Sequence, residues 1–170
     1  MSPTGRSGTR AGSSVLVSEV RDWRVWKPLR LEALADTPIG FGELHADAAA
    51  RTDAEWDERW RRQTGIKVMA LESDVPLGIA GGFPAEDGRK VLFSVYVRPS
   101  ARGRGVLEAL VDRVAAWAAP DPLCLDVHVD NAPARSAYLR LGFVENGSVT
   151  PGGGIDGRDL LGMARPVRWT

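Results

Sequence analysis

The stretch RGRGVLEAL, Arg102–Leu110, decides how this chain is read. It follows VLFSVYV (Val91–Val97), a run nearly continuous in its apolar character and so a central strand. Beyond it Leu107, Leu110, Val111 and Val114 fall on one stripe, which predicts a helix from about Gly105 to Ala118, ended by Pro120. The first amides of such a helix lack intrahelical partners and carry partial positive charge. Gly103 and Gly105 have no Cβ, so the backbone can turn tightly and approach a ligand closely. Arg102 and Arg104 add donors suited to phosphate. A pyrophosphate cradle at a helix N-terminus fits these residues. Taken alone, a solvated turn with two surface arginines fits them equally well. No Lys-Ser/Thr pair follows the glycines, so the stretch is not a P-loop, and its spacing is not G-x-G-x-x-G.

Working outward, SVLVSEV (14–20) predicts a first strand, and Asp22 can cap a helix in which Pro28 marks a break or a late start. PIGFGELHADAAA (38–50) reads as a loop or broken helix. Thr52 and Glu55 form a capping box for a helix carrying Trp56 and Trp60 on one face, a pair expected in the core or at a dimer interface. IKVMALES and PLGIAGGF flank DVP as a hairpin, and RKVLFSVYV follows as a further strand. LCLDVHV is a strand, PARSAYLRLG a short helix, and FVENG with RDLLGMARPV a closing strand pair. The order is strand, two helices, three strands, helix, strand, helix, two strands. That predicts one α/β (α+β) domain over residues 14–170, built on a mixed sheet. Residues 1–13, rich in Gly, Ser, Thr and Arg, are expected to be a disordered tail with no apolar stretch of a secretory signal.

Lys plus Arg equals Asp plus Glu at 22 each, so no global charge calls for a nucleic-acid partner. No apolar run approaches the 18 residues of a membrane span. The single cysteine, Cys124, excludes an intramolecular disulfide and reads as a small buried hydrophobe of a reducing, cytoplasmic compartment.

A second constellation lies in LDVHVDNAPARSAYLRLGF (125–143). Asp126 and His128 alternate with Leu125, Val127 and Val129, so their side chains share one face of the strand. Asn131 follows at the strand's end. Ala134, Ala137, Tyr138 and Leu141 form the apolar stripe of the next helix, turning Tyr138 inward. An isolated inward tyrosine is ordinarily a core residue whose hydroxyl finds a carbonyl.

Together the two segments resemble the signatures of the GNAT superfamily of acetyl-CoA-dependent N-acetyltransferases. Arg102-x-x-Gly105-x-Leu107 is similar to its R/Q-x-x-G-x-G/A pyrophosphate loop. Asn131, Ala134, Tyr138, Gly142 and Phe143 match its N-x-x-A-x-x-x-Y-x-x-x-G-F segment. ALADTPIGFGE is similar to the first helix and substrate loop of many bacterial members, so the resemblance covers nearly the whole chain beyond residue 13. It implies a mixed, mostly antiparallel sheet of about six or seven strands flanked by about four helices. It implies acetyl-CoA as co-substrate, no metal, and a small-molecule or peptide amine as acceptor. Oligomeric state stays open, a homodimer included.

The resemblance also implies roles. The strand around Val95, Tyr96 and Val97 would splay from its neighbour and pair with the pantetheine arm, with a main-chain N–H near Val97 polarising the thioester carbonyl. Arg102, Gly103, Arg104, Gly105, Val106 and Leu107 would hold the pyrophosphate through backbone N–H groups. Asn131, with Ala134 beside it, would bond the cofactor arm, and Tyr138 would protonate the departing thiolate. Leu107 departs from the family's Gly or Ala: either it turns into the core with Leu110, Val111 and Val114, or it narrows the cradle. Asp126 is the candidate base and His128 the second, with an ion pair to an arginine the alternative for Asp126. Glu43 and His45 could line the amine site, with ordinary solvated loop polarity the favoured reading. A non-catalytic acyl-CoA sensor or scaffold, or a transferase of another acyl group, is the competing reading.

Overall fold

The computed structural model describes residues 14–167; the expected tail at residues 1–13 lies outside them. Seven strands form one sheet in the order β1-β2-β3-β4-β5-β7-β6. The strands are β1 (Leu16–Glu19), β2 (Ile66–Glu72), β3 (Val75–Pro84), β4 (Lys90–Val97), β5 (Leu123–His128), β6 (Val144–Thr150) and β7 (Leu160–Arg165). All neighbours pair antiparallel except β4 and β5. Two positive-φ residues, Ser73 and Asp74, make the β2–β3 turn, so Val75 and Pro76 already belong to β3 rather than to the turn.

Three helices connect β1 to β2, one more than the sequence suggested: α1 (Trp23–Asp36), α2 (His45–Ala50) and α3 (Asp53–Arg62). The extra one, α2, is short and is anchored by fully buried Ala48. α1 starts at its Asp22 cap and runs through Pro28 without the expected break. A proline there removes one backbone bond. Burial of Trp23 and Trp26 on one side of it and Leu29, Ala33 and Leu34 on the other outweighs that loss. α4 (Val106–Ala118) and α5 (Ala132–Arg140) complete the fold.

Two cores follow from strand alternation. Val68, Ala80, Leu92, Leu125 and Val127 face α4, whose Leu110, Val111 and Val114 are fully buried. Met69, Ile79 and Tyr96 face α1 to α3. There Trp23 stacks on Trp56 at 6.2 Å and Trp26 meets Trp60 edge-on at 6.1 Å, so Trp23, Trp26 and Trp56 are core and half-buried Trp60 packs against it. The Thr52–Glu55 capping box is formed. No helix among the described residues is long and apolar enough to cross a membrane.

Candidate active site

The site begins where the sheet comes apart. β4 and β5 pair at only two positions, Lys90↔Leu123 and Val91↔Cys124, and then separate. A cleft of about 580 Å³ opens between them, lined by both strands, the Ala101–Glu108 turn, α5 and two loops.

A bulge aims β4's backbone into that cleft. Between Phe93↔Gly81 and Tyr96↔Ile79, β4 spends one residue more than β3. Ser94 absorbs the bend at φ 53°, a left-handed conformation uncommon for a side-chain-bearing residue. Beyond the bulge, Arg98 donates its N–H to the Leu77 carbonyl at 2.8 Å. That makes Arg98 opposite Leu77 a bonded pair, so Val97 opposite Gly78 is a non-bonded one. The N–H and C=O of Val97 therefore turn away from β3, toward the cleft, as does the backbone of Val95. Tyr96's backbone turns to β3, and its hydroxyl donates to Glu32 on α1 at 3.2 Å. Burial, with the Glu32 and Asp36 charges behind it, pushes that phenol up to about 12.

A single guanidinium buttresses the bulge from beneath. Arg30 donates to Ser94 Oγ and to Glu43 Oε2, each at 2.9 Å, and lies over the Phe41 ring. Glu43 also pairs with Arg51, and Arg59 stands 3.9 Å away. Burial alone would raise the Glu43 carboxyl, but the Arg30 and Arg51 hydrogen bonds outweigh it and hold the group below its usual range. Glu43 is thus the hub of a buried ion cluster rather than loop polarity or an amine-site wall. His45 is an exposed first residue of α2. Neither lines the cleft.

At the mouth of α4, Gly103 and Gly105 hold φ of 71° and 77°. A Cβ on either would meet nothing within 4 Å, so the space before these amides is open. The first-turn amides of Val106, Leu107 and Glu108 have no carbonyl a turn back within the helix. The result is a helix mouth of open, unpaired backbone amides. The arginine side chains do other work: Arg102 bonds the Val97 carbonyl at 3.0 Å and Asp36 at 2.7 Å, and Arg104 pairs with Glu72 at 2.6 Å. Leu107 does not head the buried stripe. Val106 does, at 1% exposure, while Leu107 is half-buried and lines the cleft. Leu107 falls on the same angular stripe and packs against the core, but in the first turn of the helix it borders the cleft, which leaves it half-buried. Gly105→Ala introduces no clash, only the left-handed penalty of about 1–2 kcal/mol. We expect its melting temperature to fall by roughly 2–8 °C, measured by circular dichroism.

Across the cleft, Asn131 caps α5 by accepting the Ala134 N–H at 3.2 Å. Tyr138 packs edge-on against Phe143 at 5.5 Å, beside Ala134. Its hydroxyl makes no hydrogen bond among the described residues, unlike a core tyrosine seated on a carbonyl. Burial drives its pKa well up, so the phenol keeps its proton at neutral pH.

Asp126 and His128 share a strand face but not an environment. His128, 4% exposed, accepts the Asp130 N–H at Nδ1 (3.1 Å), which places the ring proton on Nε2, 2.8 Å from Asp156 Oδ1. Both nitrogens are thus committed, and the ring holds the β6–β7 loop rather than serving as a base. Asp126 is exposed, lines the cleft, and makes no hydrogen bond or ion pair among the described residues. Arg89, a cation close enough to feel it, is engaged by Asp87 at 2.7 Å. No group of metal-ligating side chains occurs among the described residues.

A split sheet, a bulged central strand and a glycine cradle at a helix mouth are what comparison with known proteins has to account for. Residues 26–143, more than half of the chain, match the model of the acetyltransferase (GNAT) family. The chain belongs to the GNAT family. No curated protein sequence matches it significantly. This GNAT chain is similar in structure to a ribosomal-protein-alanine N-acetyltransferase of Brucella melitensis, at 24% identity and TM-score 0.68, covering 89% of this chain and 99% of that one. It is similar to yncA of Salmonella typhimurium, solved with its cofactor acetyl-CoA, at 20% identity and TM-score 0.71, covering 93% and 96%. Arabidopsis thaliana Naa50, in complex with the bisubstrate analogue CoA-Ac-MVNAL, follows at 18% identity and TM-score 0.63, covering 91% and 99%. At these identities the likeness is one of fold. The parted strands and the glycine turn are where the family resemblance implies them; the Ser94 bulge, the Arg30–Glu43 cluster and the His128–Asp156 bond have no counterpart in the motifs.

Proposed function

We propose that residues 14–170 form a single catalytic domain that transfers the acetyl group of acetyl-CoA to a primary amine by direct attack. The observation that carries this reading is the Val97 N–H, turned away from β3 toward a cleft that also holds the unbonded Tyr138 hydroxyl. The cleft's residues fit the co-substrate: open glycines and free helix-mouth amides for a pyrophosphate, an exposed strand edge for an extended arm. When bound, acetyl-CoA supplies the activated acyl carbon.

The chain's own groups do the rest. The Val97 N–H is aimed where negative charge grows on the acyl oxygen, and a fixed dipole there needs no reorganisation. Asp126 takes a proton from the acceptor ammonium, directly or through water, so that its nitrogen can attack. The C–N bond forms as the C–S bond breaks, the nitrogen's second proton leaves to water, and Tyr138 gives its proton to the leaving thiolate and regains one from solvent. Asn131 orients the arm from the opposite wall. A cytoplasmic setting is supported by the single buried free thiol, Cys124.

Thiol release from acetyl-CoA with a panel of amines tests the reading. Tight binding of acetyl-CoA with no release on any amine would refute it and favour a sensor. Asp126→Asn is expected to lower kcat/KM for the amine by about 100-fold and to leave the dissociation constant of acetyl-CoA unchanged. An unchanged kcat/KM removes Asp126 from the mechanism.

A further inference from the structure

Resting on the acetyl-transfer reading, we infer that the acceptor is a singly charged amine carried on an apolar group, not a polyamine or another multiply charged amine. The first argument is charge. The carboxylates on the face that Asp126 shares are taken up by arginines: Glu43 by Arg30 and Arg51, Asp156 and Asp130 by Arg158, Asp36 by Arg102. Asp156 is further occupied by the His128 ring. Glu108 is the other carboxylate lining the cleft, and it sits in the first turn of α4 at the cradle. Beyond the cradle Asp126 is therefore the lone uncommitted carboxylate of the cleft wall among the described residues. One ammonium finds a partner there. A second would meet an apolar wall or the Arg102 and Arg140 guanidiniums that line the cleft, and desolvating it without a partner is costly.

The second argument is the rim. The Pro38–Gly40 turn packs against β5, with Gly40 next to Asn131. Gly154 lies against the His128 ring, so the β6–β7 loop arrives over the same strand end. These two loops bring Ile39 and Ile155 to the cleft, 39% and 42% exposed, with Phe41 buried behind them. Two exposed isoleucines and a phenylalanine offer a side-chain-sized apolar contact beside one carboxylate. An amine with a branched aliphatic or aromatic substituent fills that contact; a hydrated polycation gains nothing from it. Such an amine is either a free small molecule or the first residue of a peptide.

Calorimetric titration of protein saturated with coenzyme A reads this inference without turnover, so a failure of acetyl transfer is seen separately in the thiol-release assay. Isoamylamine is expected to bind about tenfold or more tightly than spermidine. Ile155→Asp, at an exposed loop position, is expected to weaken isoamylamine about tenfold and to strengthen spermidine. Equal or tighter spermidine binding to the unsubstituted protein, or no binding of isoamylamine, overturns the inference. A Leu-Gly-Gly peptide amide compared with isoamylamine separates the two sources: tighter binding of the peptide assigns the amine to a polypeptide, weaker binding to a free small molecule.

Discussion

Tyr138→Phe is expected to lower kcat by about 100-fold or more while the melting temperature and the affinity for acetyl-CoA stay near those of the unsubstituted protein. The substitution removes one oxygen and leaves the ring against Phe143. Because the hydroxyl has no partner among the described residues, its removal orphans no buried group, and the usual cost of deleting half a hydrogen bond does not arise. A half-buried phenol whose pKa is held above its ordinary value keeps its proton at neutral pH, so it is in the donor form when the thiolate departs. The loss should therefore fall on kcat and be larger for acyl thioesters with more basic leaving thiols. Steady-state kinetics on a short series of acetyl thioesters checks both. Turnover that survives unchanged removes Tyr138 from the acid role.

Glu43→Gln is the second large effect, and it falls first on stability. The Glu43 side chain is 9% exposed and is the counter-charge of Arg30 and Arg51. Neutralising it leaves those guanidiniums buried without compensation, a loss of about 3–5 kcal/mol, or roughly 10 °C in melting temperature. Sign matters for pH. The Glu43 carboxyl is held below its usual range in the fold, so its contribution is fully present above the ordinary glutamate value of about 4.3. It is lost as pH falls through the lower folded value. The gap between the two proteins, read by thermal melts, should be widest at neutral pH and close in acid. Arg30→Lys separates charge from geometry: a lysine retains the charge but cannot fork to Ser94 and Glu43 together. We expect a smaller loss of stability than for Glu43→Gln, together with a fall in kcat of about tenfold, because a bulge left unsupported re-aims the Val97 N–H.

What could be read in the linear chain was local. The glycine turn, the Thr52 box and the α5 segment each rest on residues a few positions apart, whereas the separation of β4 from β5 follows only from the family resemblance. Hidden features depended on partners distant in sequence: Arg30 with Ser94 across 64 positions, and His128 with Asp156 across 28. Ser94 carries no glycine to advertise its positive φ; the strain is sustained by the guanidinium bonded to its side chain. Leu107 does join the core stripe, but its half-burial comes from bordering the cleft in the first turn of α4, which periodicity alone does not reveal. Pro28 misled because its local penalty is smaller than the tertiary burial on either side of it.

The Arg30 fork has a consequence for how this enzyme can diverge. One buried cation grips the bulged strand β4 with one nitrogen and the root of the loop between α1 and α2 with the other. Mutations at that root would disturb the reacting centre for every acceptor alike. The tips of the two loops, at Ile39 and Ile155, touch solvent and leave the fork intact. New acceptor preferences should accordingly be selected at the tips, with the root behaving as a fixed keel while the chemistry above it changes its clientele.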